Sequence, residues 1–220
     1  STFSYTNGSS GEFALMNEVK LLSHIGVDES GKGDFFGPLV VAGVLVDEKT
    51  AQIFANLGIK DSKKMTDKKI LSIEPRIKAA APHSIIAISN KRYNELYANI
   101  KNLNRLLAWG HARTIENILE KNECDYALSD KFGDESLIKN ALMKKGQSIE
   151  LRQMERAESD IAVAAASVLA QAAFVHKIEQ MESEYGIKFP KGCAPQVKDA
   201  AREFVKNYGH ERLNEVCKMH

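Results

Sequence analysis

Cysteine is scarce in this chain, which has three among its 220 residues. Cys124, Cys193 and Cys217 lie far apart and share no paired spacing. This pattern excludes a disulfide-stapled secreted scaffold and a zinc cluster built on closely spaced cysteines. It is typical of a reducing compartment, and we expect a cytoplasmic protein.

The chain also lacks an excess of charge and a long apolar run. Its 30 basic and 29 acidic residues leave a net charge of +1, whereas domains that bind nucleic acid through phosphate contacts are often strongly basic. Any contact with nucleic acid must therefore come from local clusters. No apolar run approaches the roughly 18 residues of a membrane span, and no leader resembles a signal peptide. We expect no contact with a membrane.

The amino-terminal residues differ in composition from the rest of the chain. Residues 1–15 are rich in Ser, Gly and Thr and show no hydrophobic period. We interpret residues 1–20 as a linker or an expression leader. Residues 21–220 have the length of one globular domain with a real core.

Short β-rich segments alternate with helical patterns along this domain. Leu21–Asp28 and the aliphatic Pro38–Asp47 predict two strands joined by a glycine loop, and Ser84–Ser89, Asp125–Asp130 and Ser148–Met154 predict three more. A strand as continuously apolar as the second predicts helices on both faces of the sheet. We expect an α/β fold in which Asp125–Asp130 is the parallel neighbour of Ser84–Ser89.

Three long helices are indicated by apolar residues at helical spacing. The first extends from Leu96 to about Lys121, the second is alanine-rich and extends from Ser159 to Tyr185, and the third is Pro195–Tyr208. Gly186 and Gly209 are the expected stops of the last two helices.

The stretch from Gly26 to Pro38 combines carboxylates, glycines and a lysine. Gly26 to Gly33 nearly matches the phosphate-binding pattern Gly-x-x-x-x-Gly-Lys-[Ser/Thr], but Gly33 replaces the magnesium-binding hydroxyl. Asp28 and Glu29 would lie inside a loop meant for anions, and a strand follows where a helix should begin. A nucleotide hydrolase is therefore the less favoured alternative.

Carboxylates at the ends of elements favour a metal site instead. Asp28 and Glu29 end the first strand, Asp130 ends a later strand, and Asp160 opens the alanine-rich helix. Clustered carboxylates suit Mg²⁺ or Mn²⁺. A single Asp at a strand end is more often a turn residue, and Asp160 after Ser159 could simply cap the helix. Asp28 and Glu29 can converge only if the strand ends or bulges between them, because neighbouring strand residues face opposite sides.

The string Asp28-Glu29-Ser30-Gly31-Lys32-Gly33-Asp34-Phe35-Phe36-Gly37-Pro38 resembles the signature of ribonuclease HIII, the bacterial branch of the type 2 ribonucleases H. The related ribonuclease HII pattern has Arg between the two glycines, where this chain has Lys32. Further matches follow in order over roughly residues 22–220: Asp61-Ser62-Lys63-Lys64, Asn102-Leu103-Asn104, Leu128-Ser129-Asp130, Ala157-Glu158-Ser159, Ala165-Ala166-Ser167 and Pro190-Lys191-Gly192.

The resemblance implies a ribonuclease H-like fold, with a mixed central β-sheet flanked by helices on both faces. It also implies an endoribonuclease that hydrolyses the RNA strand of RNA/DNA hybrids and leaves 5′-phosphate and 3′-hydroxyl ends. Two ions, Mg²⁺ or Mn²⁺, would act in an in-line displacement. The metal-binding acids implied are Asp28, Glu29, Asp130 and Asp160, with Glu158 as an alternative fourth ligand.

The resemblance also implies a set of substrate contacts. Gly31, Lys32 and Gly33 would sense the 2′-hydroxyl that distinguishes RNA from DNA. Lys63 and Lys64 would clamp phosphates, although a lysine run is usually a solvated face, and Asn104 is a weaker candidate. The partner is then the hybrid duplex, and we expect a monomer with no obligate protein partner. A hybrid-binding module without catalysis is the alternative, and it would need no acid cluster.

The chain departs from the family pattern in two respects. Cys193 occupies the place of a tyrosine that helps the HII branch to recognise RNA–DNA junctions, so cleavage at single embedded ribonucleotides is in doubt. The HIII family usually carries an amino-terminal substrate-binding domain resembling TATA-binding protein, which the short leader cannot be. We expect either an isolated catalytic domain or a natural variant without the extension.

Overall fold

A computed structural model describes residues 22–130, 135–142 and 149–220; the linker assigned to residues 1–20 lies outside them. Within these residues, strands form one mixed sheet in the order β3-β2-β1-β4-β5. β1, β2 and β3 are antiparallel neighbours, whereas β4 is parallel to β1 and β5 is parallel to β4. The strands are β1 (His24–Ser30), β2 (Leu39–Val46), β3 (His83–Ile88), β4 (Tyr126–Asp130) and β5 (Glu150–Met154).

Helices cover both faces of the sheet, as the sequence predicts. One face packs against α1, α2 and α6, and the other face packs against α4 and α5. Every residue of β2 is buried, which explains its unbroken aliphatic sequence. The helices are α1 (Glu48–Asn56), α2 (Asp67–Ala80), α3 (Asn90–Ile100), α4 (Leu103–Leu119), α5 (Glu135–Ala141), α6 (Ile161–Tyr185) and α7 (Pro195–Tyr208), with 3₁₀ turns at Ile59–Lys64, Ala157–Ser159 and His210–Glu215.

The predicted neighbour of the fourth strand was wrong. β4 pairs in parallel with β1, and its registered partners include Val27 with Ser129. The direction of β4 was correct, but α4 packs across β2 and β1 and carries the chain to the free edge of β1. The length of a crossover predicts that two strands are parallel, but it does not fix how many strands lie between them.

The helix predicted from Leu96 to Lys121 is two helices. Lys101 has a left-handed backbone with φ of 54° and ends α3, and the side chain of Asn102 accepts a hydrogen bond from Arg105 N to begin α4. Apolar residues of both helices pack in one cluster with Leu39. The helical spacing of apolar residues therefore continues from α3 into α4, so this spacing alone does not indicate the break between the two helices.

The alanine-rich helix α6 is confirmed, with Asp160 as its amino-terminal cap and Gly186 in the left-handed region at its end. By length and composition this helix could cross a membrane, contrary to the expectation from the sequence. However, 61% of its most apolar window is buried inside the protein, as in the core helix of a globular domain. The helix Pro195–Tyr208 is also confirmed.

Candidate active site

Two neighbouring acids lie at the end of the central strand β1. The strand continues without a bulge through Ser30, with Asp28 opposite Ala42 and Glu29 opposite Val41. The two side chains therefore face opposite sides of the sheet, and the strand does not end between them as convergence would require. Asp28 lies on the side of α6, where Ser167 hydrogen-bonds it, and Glu29 lies on the side of α4.

Asp28 lies in a strongly negative environment. Burial and the charge of Glu29 raise its pKa to about 7, and Asp130 adds to the increase. Hydrogen bonds from Glu29 N, at 2.8 Å, and from Ser167 act in the opposite direction. Asp130 ends β4 beside β1, and its Oδ1 accepts a hydrogen bond from Ala157 N at 3.2 Å. A cation here would relieve the repulsion between these carboxylates.

Glu29 is held by a buried histidine. His111, which is fully buried on α4, places Nε2 at 2.8 Å from Glu29 Oε1 and Nδ1 at 3.1 Å from Ser129 Oγ. Burial alone would raise the pKa of Glu29, but the hydrogen bond and charge of His111, together with Lys32, hold it below its usual value. The sequence did not identify this contact, although a histidine on an apolar helical face needs a polar partner.

Asp160 does not join the other three acids. Its Oδ2 accepts hydrogen bonds from Ala162 N and Val163 N at the start of α6, and both carboxylate oxygens lie 2.9 Å from His24 Nε2. His24 begins β1, about 13 Å along the strand from Asp28 at roughly 3.3 Å per residue. Burial raises the pKa of Asp160, but the His24 contact and the amides keep it low.

Glu158 precedes Asp160 by two residues and has different contacts. It follows Ala157, whose amide binds Asp130, in the short 3₁₀ turn before α6. Its Oε1 lies 2.5 Å from Lys63 Nζ, and this hydrogen bond lowers the pKa of Glu158. Of the two candidates for the fourth position, Glu158 follows the residue whose amide binds Asp130, whereas the Asp160 carboxylate contacts His24.

The donor set suits a hard divalent cation, although the side chains do not yet enclose one. Among residues 22–130, 135–142 and 149–220, no three acid, histidine or cysteine side chains are gathered closely enough to hold a metal ion. Hydrogen bonds direct Glu29 towards His111 and Glu158 towards Lys63. The available ligands are all carboxylate oxygens, which Mg²⁺ and Mn²⁺ prefer, and repulsion at Asp28 favours their binding.

The glycine loop follows the acids directly. Gly31 has φ of 93°, and a Cβ there would lie 2.1 Å from Pro38 O, whereas a Cβ at Gly33 would meet nothing within 4 Å. Gly31 therefore makes the turn, and Gly33 offers open main chain next to the acids. Lys32 is exposed, and its positive charge helps to lower the pKa of Glu29. Because Gly26 lies inside β1, the phosphate-loop alternative is wrong.

The other predicted contacts lie on separate elements. Lys63 and Lys64 are exposed at the end of the 3₁₀ turn Ile59–Lys64. The link between this pair and the acids is the ion pair of Lys63 with Glu158. Asn104 is partly buried in the first turn of α4, seven residues before His111. At this spacing both residues lie on the same helical face.

Comparisons with known proteins agree with this geometry. A family model described as Ribonuclease HII matches residues 25–220. Ribonuclease HIII of Protochlamydia amoebophila is 44% identical over 203 residues, which are 92% of this chain and 67% of the relative. Ribonuclease HIII of Chlamydia trachomatis serovar L2 is 45% identical over 91% of this chain and 68% of the relative.

Solved structures show the same fold. The crystal structure of Bst-RNase HIII in complex with Mn²⁺ has a TM-score of 0.85 and 30% identity over 93% of this chain and 68% of that chain. Aquifex aeolicus RNase H3 has a TM-score of 0.72 and 26% identity over 95% of this chain and 78% of that chain.

Proposed function

The chain belongs to the ribonuclease HII family, with ribonuclease HIII relatives over most of its length, and from this premise we propose which residues act. The protein is a metal-dependent endoribonuclease that hydrolyses the RNA strand of RNA/DNA hybrids. The observation that supports the site most directly is Asp28, whose pKa is raised to about 7 beside Glu29 and Asp130. Asp28 and Glu29 lie at the end of β1 on opposite faces of the sheet, and Asp130 ends β4. To share a cation with Asp28, the Glu29 side chain would turn from His111 around the end of the strand.

The metal ligands that we propose are Asp28, Glu29, Asp130 and Glu158. Glu158 takes the fourth position because it adjoins Asp130 through Ala157, while both oxygens of Asp160 bind His24. Bst-RNase HIII was solved with Mn²⁺, and Mg²⁺ or Mn²⁺ fits the carboxylate set here. These four acids would hold two such ions, which would supply a nucleophilic water and stabilisation of the leaving 3′-oxygen.

The remaining residues of the site bind and orient the duplex. The open main chain at Gly33, with Gly31 and Lys32, lies where it can contact the ribose next to the phosphate that is cleaved. Lys63 and Lys64 contact phosphates and position the duplex without reading bases. Asn104 lies on the same face of α4 as His111 and is a further contact.

Three broader assignments are also part of the proposal. We assign residues 21–220 to the catalytic domain, and the described residues 22–130, 135–142 and 149–220 pack around one sheet. The free Cys124, Cys193 and Cys217 are consistent with a reducing cytoplasm. We also propose that the protein acts as a monomer, with the hybrid duplex as its partner.

Cleavage of two matched duplexes tests this function. A long RNA/DNA hybrid and a DNA duplex with one ribonucleotide are each incubated with Mg²⁺ and then with Mn²⁺. We expect cleavage of the hybrid, and weak cleavage at the single ribonucleotide, because exposed Cys193 lies beside Gly33 where the HII branch has a tyrosine. No cleavage of the hybrid with either metal would refute the proposed activity.

The variant Asp130→Asn separates catalysis from binding. Removal of a metal ligand should reduce cleavage by at least about a hundredfold, since loss of even an outer-shell partner costs roughly 10- to 100-fold. Binding of the hybrid should survive. Undiminished cleavage would contradict the metal-site assignment.

A further inference from the structure

The main chain of the glycine loop depends on support from outside the loop. Between β1 and β2 the loop makes one internal main-chain hydrogen bond, from Asp34 N to Gly31 O. Its other main-chain bonds reach Gly192 and the carboxyl-terminal segment, where Phe35 N donates to Gly192 O and Gly37 N donates to Val216 O. The position of the loop beside the acids is therefore set by distant parts of the chain.

Lys218 makes the most unusual of these contacts. Its side chain is buried, with 5% of the residue exposed, and its Nζ donates hydrogen bonds to Asp34 O at 2.9 Å and to Gly37 O at 2.5 Å. Its own amide donates to Phe35 O at 2.9 Å. One residue therefore binds three carbonyl groups of the segment that follows Gly33.

The surroundings of Lys218 are nearly free of compensating charge. The Nζ lies 5.8 Å from the centre of the Tyr93 ring, and in the described part of the chain it forms no ion pair with a carboxylate. Burial lowers the pKa of Lys218 to about 8, against the opposing charge of Asp34. A buried, unpaired ammonium is costly, and an apolar side chain of similar length would avoid that cost.

The two carbonyls bound by the Nζ of Lys218 belong to Asp34 and Gly37, on either side of Phe35 and Phe36. Asn90 Nδ2 also donates to Gly37 O, at 2.6 Å, so one end of the loop is fixed from two elements. Asp34 O has no second donor of this kind among the described residues. Loss of the ammonium would therefore leave Asp34 O, next to Gly33, without its donor, whereas Gly37 O would keep the hydrogen bond from Asn90. Asp34 would still be bound through its Oδ1, which accepts a hydrogen bond from Gly192 N at 2.8 Å, so the main chain would shift locally rather than detach.

We propose that Lys218 is a positioning residue for substrate selection, because it holds the main chain of the glycine loop in the place where a hybrid must contact it. This inference rests on the proposed function, since the loop selects a substrate only if the duplex lies across Asp28 and Glu29. The charged amino group of Lys218 then fixes the position of the loop main chain, and its burial lowers the stability of the folded protein.

The test compares Lys218→Met with Lys206→Met, which removes the same charge from an exposed site at the far end of α7. Affinities for an RNA/DNA hybrid and for a DNA duplex of the same sequence are measured in EDTA, so that no cleavage occurs. Lys218→Met should lower the preference for the hybrid by about tenfold, the scale of one charge-assisted hydrogen bond. Lys206→Met should leave the preference unchanged.

Two further measurements exclude a merely structural role. Hydrogen exchange at the Phe35 amide should accelerate in Lys218→Met more than exchange at the Gly37 amide, while the midpoint of thermal unfolding stays the same or rises, because a buried charge has been removed. A midpoint lower by more than about 5 °C, roughly 2 kcal/mol for a chain of this size, would show a structural role and overturn the proposal.

The failure of each proposal can be distinguished. If Lys218→Met keeps the preference of the unsubstituted protein for the hybrid, the role of Lys218 is refuted and the proposed function stands. If the unsubstituted protein binds both duplexes equally and cleaves neither, the proposed function fails, and the role of Lys218 fails with it.

Discussion

At the scale of single residues, Asp28 shows how the fold prepares a site for a cation. Its carboxyl group is buried near Glu29 and Asp130, and its pKa is raised to about 7 from 3.8. Between about pH 4 and pH 7 the native protein without metal therefore binds a proton that the unfolded chain does not bind. The contribution of Asp28 to stability is full below about pH 4 and is lost as the pH rises through 7.

This linkage predicts a difference between the unsubstituted protein and Asp28→Asn. In EDTA, the free energy of unfolding of the unsubstituted protein relative to the variant should fall by up to about 1.4 kcal/mol per pH unit between pH 4 and 7. Urea denaturation at several pH values measures the difference. At pH 8, Mg²⁺ should stabilise the unsubstituted protein more than the variant. Parallel pH profiles for the two proteins would contradict the assigned pKa.

The variants Glu158→Ala and Asp160→Ala form a matched test of the fourth ligand. Glu158→Ala should reduce cleavage by at least about a hundredfold with less than about 1 kcal/mol lost in stability, because its ion pair with Lys63 is exposed. Asp160→Ala should cost about 2 to 4 kcal/mol, since it removes a helix cap and leaves buried His24 without its acid partner.

Cleavage rates and thermal unfolding distinguish the two variants. Asp160→Ala should retain cleavage within roughly threefold at a temperature where it is folded, because its carboxylate binds His24 and not the acid group. The opposite pattern, with cleavage lost in Asp160→Ala and kept in Glu158→Ala, would restore the assignment made from the sequence.

The sequence predicted part of this site for physical reasons. Asp28, Glu29 and Asp130 could be selected because carboxylates at strand ends form a recognisable pattern, and the structure brings them to neighbouring strands. His111 could not be paired with Glu29, because that contact depends on how α4 crosses the sheet. The role of Asp160 was ambiguous, since an Asp just before a helix is expected both for a helix cap and for a metal ligand.

At the scale of elements, local sequence patterns predicted which segments form strands and helices better than they predicted which elements lie next to each other. The apolar run of β2 and the glycine after α6 identify their elements directly. The partner of β4 and the break between α3 and α4 depend on tertiary packing, which local spacing does not encode. The fold class was confirmed because helices on both faces follow from the burial of β2.

The strand β1 and the helix α6 pack so closely at Gly26 that adding one methyl group there tests how rigid their contact is. A Cβ at Gly26 would lie 2.2 Å from Val163 N and 2.3 Å from the carbonyl carbon of Ala162. Gly26→Ala should therefore push α6 away from the sheet and cost at least about 3 kcal/mol, at the upper end of overpacking effects. Gly33→Ala is the matched control, because a Cβ there meets nothing within 4 Å, and should cost less than about 0.5 kcal/mol.

Denaturant unfolding of both variants measures this difference. A stability of Gly26→Ala close to that of Gly33→Ala would show that α6 can move away from β1 at little cost. In that case the acid at position 28 would not be held rigidly against Ser167.

At the scale of the whole molecule, the balance of charge limits how the protein attracts its substrate. A net charge of +1 gives little long-range attraction for a polyanion, so affinity must come from a few local phosphate contacts. Lys63 is the candidate with the clearest position, because it is exposed and its Nζ binds Glu158. We therefore expect weak binding of the hybrid by this chain alone, with a shallow dependence on salt.

Removal of Lys63 should reduce that dependence further. For Lys63→Ala, the slope of log affinity against log salt concentration should decrease in magnitude by about 1, and binding should weaken equally for hybrids of different sequence. Lys206→Ala, which removes an exposed lysine from the last turn of α7, should leave the slope unchanged. Because Lys63 also pairs with Glu158, the experiment is done in EDTA, where metal binding cannot alter the result. An unchanged slope in Lys63→Ala would exclude a phosphate contact and leave Lys63 only its ion pair with Glu158.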